Sequence, residues 1–397
     1  MNNLEWQQRW ESSLLNNYGT PPITLVSGQG ATVVDVDGRE YVDLLAGIAV
    51  NALGHAHPAV IAAVTKQMST LGHTSNLAIS RPTVELAERL LGLAGRSGRV
   101  FFCNSGAEAN EAAIKIARAT GRTGLIAAEG SFHGRTAGAL SITGQASKRE
   151  PFEPLLPDVT FVAYGDIDAT VEAIGDTTSA VFLEPIQGEG GVVVPPPGFL
   201  QAAQDVAHEV GALFVVDEVQ TGIGRTGDWF AHTEFGLKPD VVTLAKGLGG
   251  GLPIGATIAF GDTAKLLGPG SHGSTFGGNP VTAAAALAVL DTIEHDNLLQ
   301  RVKELSAELT VGLLSEGAAL VSAVRGSGLL LGVVLDQPVA RELEIAARAC
   351  GLLINAVRPD VIRIAPPLVL TDAELAVALE RFGQAVDIVV GREGDLT

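Results

Sequence analysis

Two residues whose types invite chemistry stand at equivalent places in this chain. Asp217 closes the apolar run 212–216, and Lys246 closes the apolar run 241–245. Neither run alternates with polar residues, which is the pattern of strands buried on both faces of a parallel sheet. The carboxylate and the amine are therefore expected at the C-terminal ends of two strands, the edge where open α/β sheets bind ligands. An amine there can form a Schiff base with an aldehyde, and a carboxylate can keep a pyridine nitrogen protonated, so the pair points to pyridoxal 5'-phosphate. Taken singly, each also fits a polar strand end or a solvated loop lysine.

Other segments would have to serve such a pair. Residues 99–102 read as a strand, followed by Asn104, Ser105, Gly106 and Ala107 and then a helix with Ala109, Ala112, Ile116 and Ala119 on one face. A strand, a tight turn of small residues and a helix start present free N–H groups and a positive dipole end, which suits a phosphate; a capped helix without a ligand explains the same residues. The strand expected over 125–128 leads to Phe132, His133 and Arg135, an aromatic able to stack on a ring and a planar fork suited to a carboxylate. The run 180–183 ends on Glu184, with Glu189 among glycines beyond it, by itself the pattern of a mobile solvated acid. Ser274 and Thr275, flanked by glycines before an Ala-rich helix, can donate to phosphate oxygens or simply open that helix. His55 and His57 lack a third ligand at usable spacing, so a metal is not expected.

The segments 217–222, 244–247 and 104–111 resemble the central and phosphate-binding motifs of the class III aminotransferases, and the resemblance extends from Tyr18 to Pro367. It implies an α/β, fold type I pyridoxal-phosphate-dependent transferase of the aspartate-aminotransferase-like kind. Its mostly parallel central sheet would be flanked by helices, with a smaller α+β domain built from both chain ends. The implied catalytic residues are Lys246 and Asp217. The implied cofactor residues are Ser105, Gly106, Ala107, Phe132, Asp217, Glu218, Val219, Gln220, Lys246 and Thr275, the last reaching the neighbouring subunit of a homodimer with shared active sites. Arg135, Ser274, Glu189 and Arg363 are implied substrate residues, with Glu189 pairing to Arg363. The matches at 18–22, 104–111, 132–135 and 272–280 are closest to members that transaminate N2-acetylornithine with 2-oxoglutarate. Members using ornithine, succinylornithine, succinyl-diaminopimelate or γ-aminobutyrate are alternatives, and an aminomutase on the same scaffold would be a different reaction class.

The 397 residues are 46% hydrophobic and 18% charged, enough for a large core and more than one domain. Boundaries are expected at 1–55, 56–295 and 296–397, the outer two segments forming the small domain. With 26 basic against 44 acidic residues the net charge is −18, which would repel nucleic acid or an anionic membrane, so partners are expected to be small amino and keto acids. Cys103 and Cys350 form no CxxC pattern, and the N-terminus lacks the layout of a signal peptide, so a reducing cytoplasmic setting is expected. An amphipathic helix is expected over 4–15, ended by Pro21 and Pro22, then β structure over 24–42.

Overall fold

The structure, a computed structural model, describes residues 1–394. At its centre is a seven-stranded sheet made of β4 (Gly98–Cys103), β5 (Gly124–Ala128), β6 (Val159–Val162), β7 (Thr178–Leu183), β8 (Leu213–Asp217), β9 (Val241–Leu244) and β10 (Gly255–Phe260). The spatial order is β4-β10-β9-β8-β7-β5-β6, parallel from β9 through β6, with β10 antiparallel to both its neighbours. Successive side chains take opposite faces, and both faces are apolar. Val181, Leu183, Phe214 and Val216 pack with the helix Phe199–Glu209, while Ala180, Phe182 and Val215 pack towards the helix Gly106–Arg118.

Two smaller sheets flank this one. The first pairs β1 (Leu25–Gln29), β2 (Thr32–Asp35) and β3 (Glu40–Asp43) with β13 (Leu352–Leu353), which lies parallel to β3. The second runs β11 (Val321–Ser327), β12 (Leu330–Leu335), β15 (Val361–Ile364) and β14 (Asn355–Arg358). A large apolar core joins these to the helices Pro280–His295 and Leu298–Glu316.

The first helix departs from the sequence expectation. It spans Asn3–Ser13, opened by a capping box between Asn2 and Glu5, and ends at the extended Leu14 well before Pro21. None of its residues is buried, so capping and the bonds from Gln7 and Trp10 to the carbonyls of Pro21, Pro22 and Gly19 hold it in place. His55 donates from Nε2 to Asp43 Oδ2 at 2.9 Å, and no cluster of metal-ligating side chains occurs among the described residues.

Candidate active site

The C-terminal ends of β4, β5, β7, β8 and β9 open on one cavity of about 390 Å³, whose walls include Ser105, Phe132, Arg135, Glu184, Asp217 and Lys246. Parallel strands place these termini side by side, so residues far apart in sequence converge. Asp217 is buried, and both of its oxygens are held by neighbours. Its Oδ2 accepts from Asn110 Nδ2 at 2.8 Å and lies 2.7 Å from His133 Nδ1, while Oδ1 accepts from Val219 N at 2.9 Å. An ionised carboxylate only accepts, so His133 carries its proton on Nδ1. Burial would discharge His133, but the bond to Asp217 and its charge outweigh that and raise the imidazole pKa above its ordinary value. Asn110 is fixed in turn by Thr243 of β9, whose hydroxyl donates to Asn110 Oδ1 at 2.9 Å.

Lys246 begins a short 3-10 turn, Lys246–Gly249, with φ at 38°. A side-chain-bearing residue in that region is strained, and such strain persists only where surrounding structure imposes it. Burial first, then the Arg363 guanidinium, lower its amine to about 8, against the pull of Glu189, Asp217 and Glu184. Glu184 closes β7 and accepts from Phe132 N at 3.1 Å; burial pushes its carboxyl up to about 7.

Ser105 caps the helix Gly106–Arg118, its Oγ accepting from Glu108 N at 3.2 Å. The first-turn N–H groups of Gly106 and Ala107 have no partner within the helix, and both residues line the cavity. Close approach there requires glycine, since a Cβ on Gly106 would stand 2.7 Å from Val219 Cγ1. This donor set, the acceptor Asp217 and the amine of Lys246 fit the phosphate, the ring nitrogen and the aldehyde of pyridoxal phosphate.

Arg363 is the largest fully buried side chain. Its Nη1 donates to Glu189 Oε1 at 2.5 Å and to Gln220 Oε1 at 3.2 Å, and Nη2 to Asn355 Oδ1 at 2.8 Å. Burial raises the Glu189 carboxyl, but Arg363 overrides it and the pKa lies below the ordinary range. The glycines around Glu189 therefore do not make a solvated acid. Arg135 lines the cavity mouth with its guanidinium carbon 5.6 Å from the Phe132 ring centroid, and Lys148 stands 4.9 Å from the same ring.

Five expected site residues are not on the cavity wall: Glu189 and Arg363, which reach it through Gln220, and Glu218, Ser274 and Thr275. Glu218 points away from the cavity: it accepts from Thr221 Oγ1, Ala231 N and His232 N and pairs with His232 Nδ1, a buried structural hub. Ser274 accepts from Asn104 Nδ2 at 3.1 Å and from Gly277 N, outside the cavity wall, and Thr275 is exposed on the surface. The helix Pro280–His295 is capped by Asn279 rather than by the Ser-Thr pair. Conversely, Asn110, His133 and Glu184 were given no role by sequence; only tertiary contacts spanning 107 and 84 residues reveal the first two as Asp217's partners.

A mixed sheet with an amine and a braced acid at its carboxyl edge defines a pyridoxal-phosphate transferase of fold type I. The family model described as "Aminotransferase class-III" matches residues 14–386, and the chain belongs to that family of pyridoxal-phosphate-dependent enzymes. It is 60% identical over 387 residues to the acetylornithine aminotransferase of Mycobacterium tuberculosis, covering 97% of each chain. To that of Streptomyces coelicolor it is 59% identical, covering 94% of this chain and 93% of the relative. Among solved structures, the N-acetylornithine aminotransferase of Stenotrophomonas maltophilia superposes with a TM-score of 0.83 at 38% identity, covering 95% and 99% of the two chains. The ornithine aminotransferase of Toxoplasma gondii gives 0.93 at 34% identity, covering 99% and 96%.

Proposed function

We propose that the chain catalyses ping-pong transamination between N2-acetyl-L-ornithine and 2-oxoglutarate, yielding N-acetyl-L-glutamate 5-semialdehyde and L-glutamate, a step of arginine biosynthesis. The observation that carries the chemistry is Asp217, fixed by Asn110 and His133 in the same cavity as Lys246. The substrate pair is supported by the near-full-length similarity to relatives named for acetylornithine.

Pyridoxal phosphate supplies an aldehyde that captures amines and a ring that draws electrons from the substrate carbon. Lys246 would hold that aldehyde and, once freed, carry the proton between the substrate carbon and the cofactor's C4′; an amine lowered to about 8 gives up its proton readily near neutral pH. Asp217 would keep the ring nitrogen protonated. Val219 and Phe132 would cover the ring, Gln220 would reach its phenolic oxygen, and Ser105, Gly106 and Ala107 would hold the phosphate. In a homodimer, Thr275 of the partner subunit would add to that phosphate site and Ser274 to the substrate side.

Arg135 would bind a carboxylate in both half-reactions, while Glu189 masks Arg363 until a second carboxylate arrives. Masking matters because a buried guanidinium left unpaired beside a substrate with one carboxylate is costly. The same reading assigns a large domain to 56–295 and a small one to 1–55 with 296–397, supported by the β3–β13 pair, and a cytoplasmic location, supported by two unpaired cysteines.

The test is a half-reaction panel on the coloured protein, following the cofactor band as N2-acetylornithine, ornithine, γ-aminobutyrate and succinyl-diaminopimelate are added separately. N2-acetylornithine should react with the highest kcat/KM, and band recovery should require an external keto acid. Faster reaction with another donor reassigns the substrate; turnover without a keto acid points to an aminomutase. Borohydride treatment should label Lys246 and no other residue.

A further inference from the structure

The loop that carries Glu189 is held more firmly than its glycines imply. Gln187 and Val193 exchange both backbone hydrogen bonds at 3.0 Å, and Gly191 N and Val192 N both donate to Gly188 O, at 3.3 and 3.2 Å. Gln187 Nε2 ties the near end to Glu129 O at 2.9 Å. Val192, at φ 52°, plants its buried side chain among Ala49, Ile186, Leu330 and Ala365. Two arginines of the smaller sheet then close on the consecutive carbonyls that follow Glu189. Arg358 of β14 donates from Nε to Gly190 O at 3.0 Å, and Arg325 of β11 donates from Nε and Nη2 to Gly191 O at 3.3 and 2.9 Å. Among the described residues neither arginine makes an ion pair; Arg325 commits two donors to this backbone and Arg358 one. The packing is close: a Cβ on Gly191 would lie 3.1 Å from Arg358 Cγ.

We infer that Arg325 and Arg358 are positioning residues for the Glu189–Arg363 pair, fixing the loop backbone so that the Glu189 carboxylate swings alone on its side chain. This rests on the reading that Glu189 masks Arg363. The physical reason is one of effective concentration. A carboxylate on a fixed backbone re-forms its bond to Arg363 in one geometry, whereas a glycine-rich loop free to drift with its side chain spreads that acid over many positions. Freeing the loop therefore unmasks Arg363 although Glu189 and Arg363 are both intact.

The measurement compares wild type, Glu189→Gln and the double variant Arg325→Met with Arg358→Met in the holoenzyme. Two quantities are read: glutarate affinity by calorimetry, as an unreactive dicarboxylate, and kcat/KM of each half-reaction. Unmasking tightens glutarate and slows the N2-acetylornithine half-reaction relative to the glutamate one, each by about three- to tenfold, the size of coupling between contacting groups. The double variant should shift in the same direction as Glu189→Gln. Mere loss of two positive charges has the opposite sign, weakening glutarate. Weaker or unchanged glutarate binding in the double variant, or equal loss in both half-reactions, overturns the inference while leaving the mask intact if Glu189→Gln behaves as expected. No shift in Glu189→Gln removes the mask, and this inference with it. Should the double variant fail to fold, each single Arg→Met variant is read by the same criteria.

Discussion

Lys246 shows how much a single side chain depends on remote neighbours. Its amine is lowered to about 8 by burial and then by Arg363, from an ordinary value of 10.5. The sign of the consequence for stability follows from linkage. Between about pH 8 and 10.5 the unfolded chain binds the proton that the folded chain has released, so the cofactor-free protein should gain stability as pH rises through that window. Lys246→Met should flatten that rise and be the more stable protein below pH 8, by up to roughly 3 kcal/mol, as read from thermal unfolding of the cofactor-free forms at pH 7 and pH 10. Lys246 and Asp217 were legible because each interrupts a buried apolar run. Asn110 and His133 were not, because a polar residue inside a helix or a loop has no local signature of the acid it will meet across the sheet. Glu218 misled for the same reason: its neighbours in sequence line the cavity, but its own carboxylate turns to Ala231 and His232.

At the level of elements, the strands that end at the site were readable to within about two residues, as continuous apolar runs are. The first helix was overextended because no buried residue sets its end: Asn16 and Asn17 turn the chain where the apolar seam is already lost. The helix Gly106–Arg118 has a different limit. Its first turn meets Val219 so closely that Gly106→Ala must push either that side chain or the helix terminus. Overpacking costs about 1–3 kcal/mol, and because the strain falls on the end of the cavity proposed to hold the phosphate, it should appear as cofactor affinity weakened by about tenfold with the fold retained. Titration of the cofactor-free variant with pyridoxal phosphate checks this; unchanged affinity would mean Val219 yields freely.

For the molecule as a whole, the segment holding Ser274 and Thr275 lies outside its own cavity beside strongly exposed apolar residues. Leu77 is 97% and Ile79 88% exposed, and Phe276 is 61% exposed with its ring 5.1 Å from His73. Large exposed side chains gathered around a motif with no local use suit a face between two copies. If Thr275 serves the partner's cavity, Lys246→Ala and Thr275→Val chains mixed through reversible denaturation should regain activity neither has alone, up to roughly a quarter of wild type for random pairing with one intact site per mixed pair. Failure to regain activity in demonstrated mixed dimers would place Thr275 outside the shared site.

The two-residue β13 has a consequence for the order in which this protein can be made. It completes the first sheet by lying beside β3, from which it is separated by roughly 300 residues, a separation that delays closure during folding. While the chain leaves the ribosome, β3 offers an unclaimed row of amides and carbonyls until almost everything else has been translated. For that interval the newborn chain is an open invitation to strand exchange with its siblings on the same messenger, and shielding by a chaperone would matter most there.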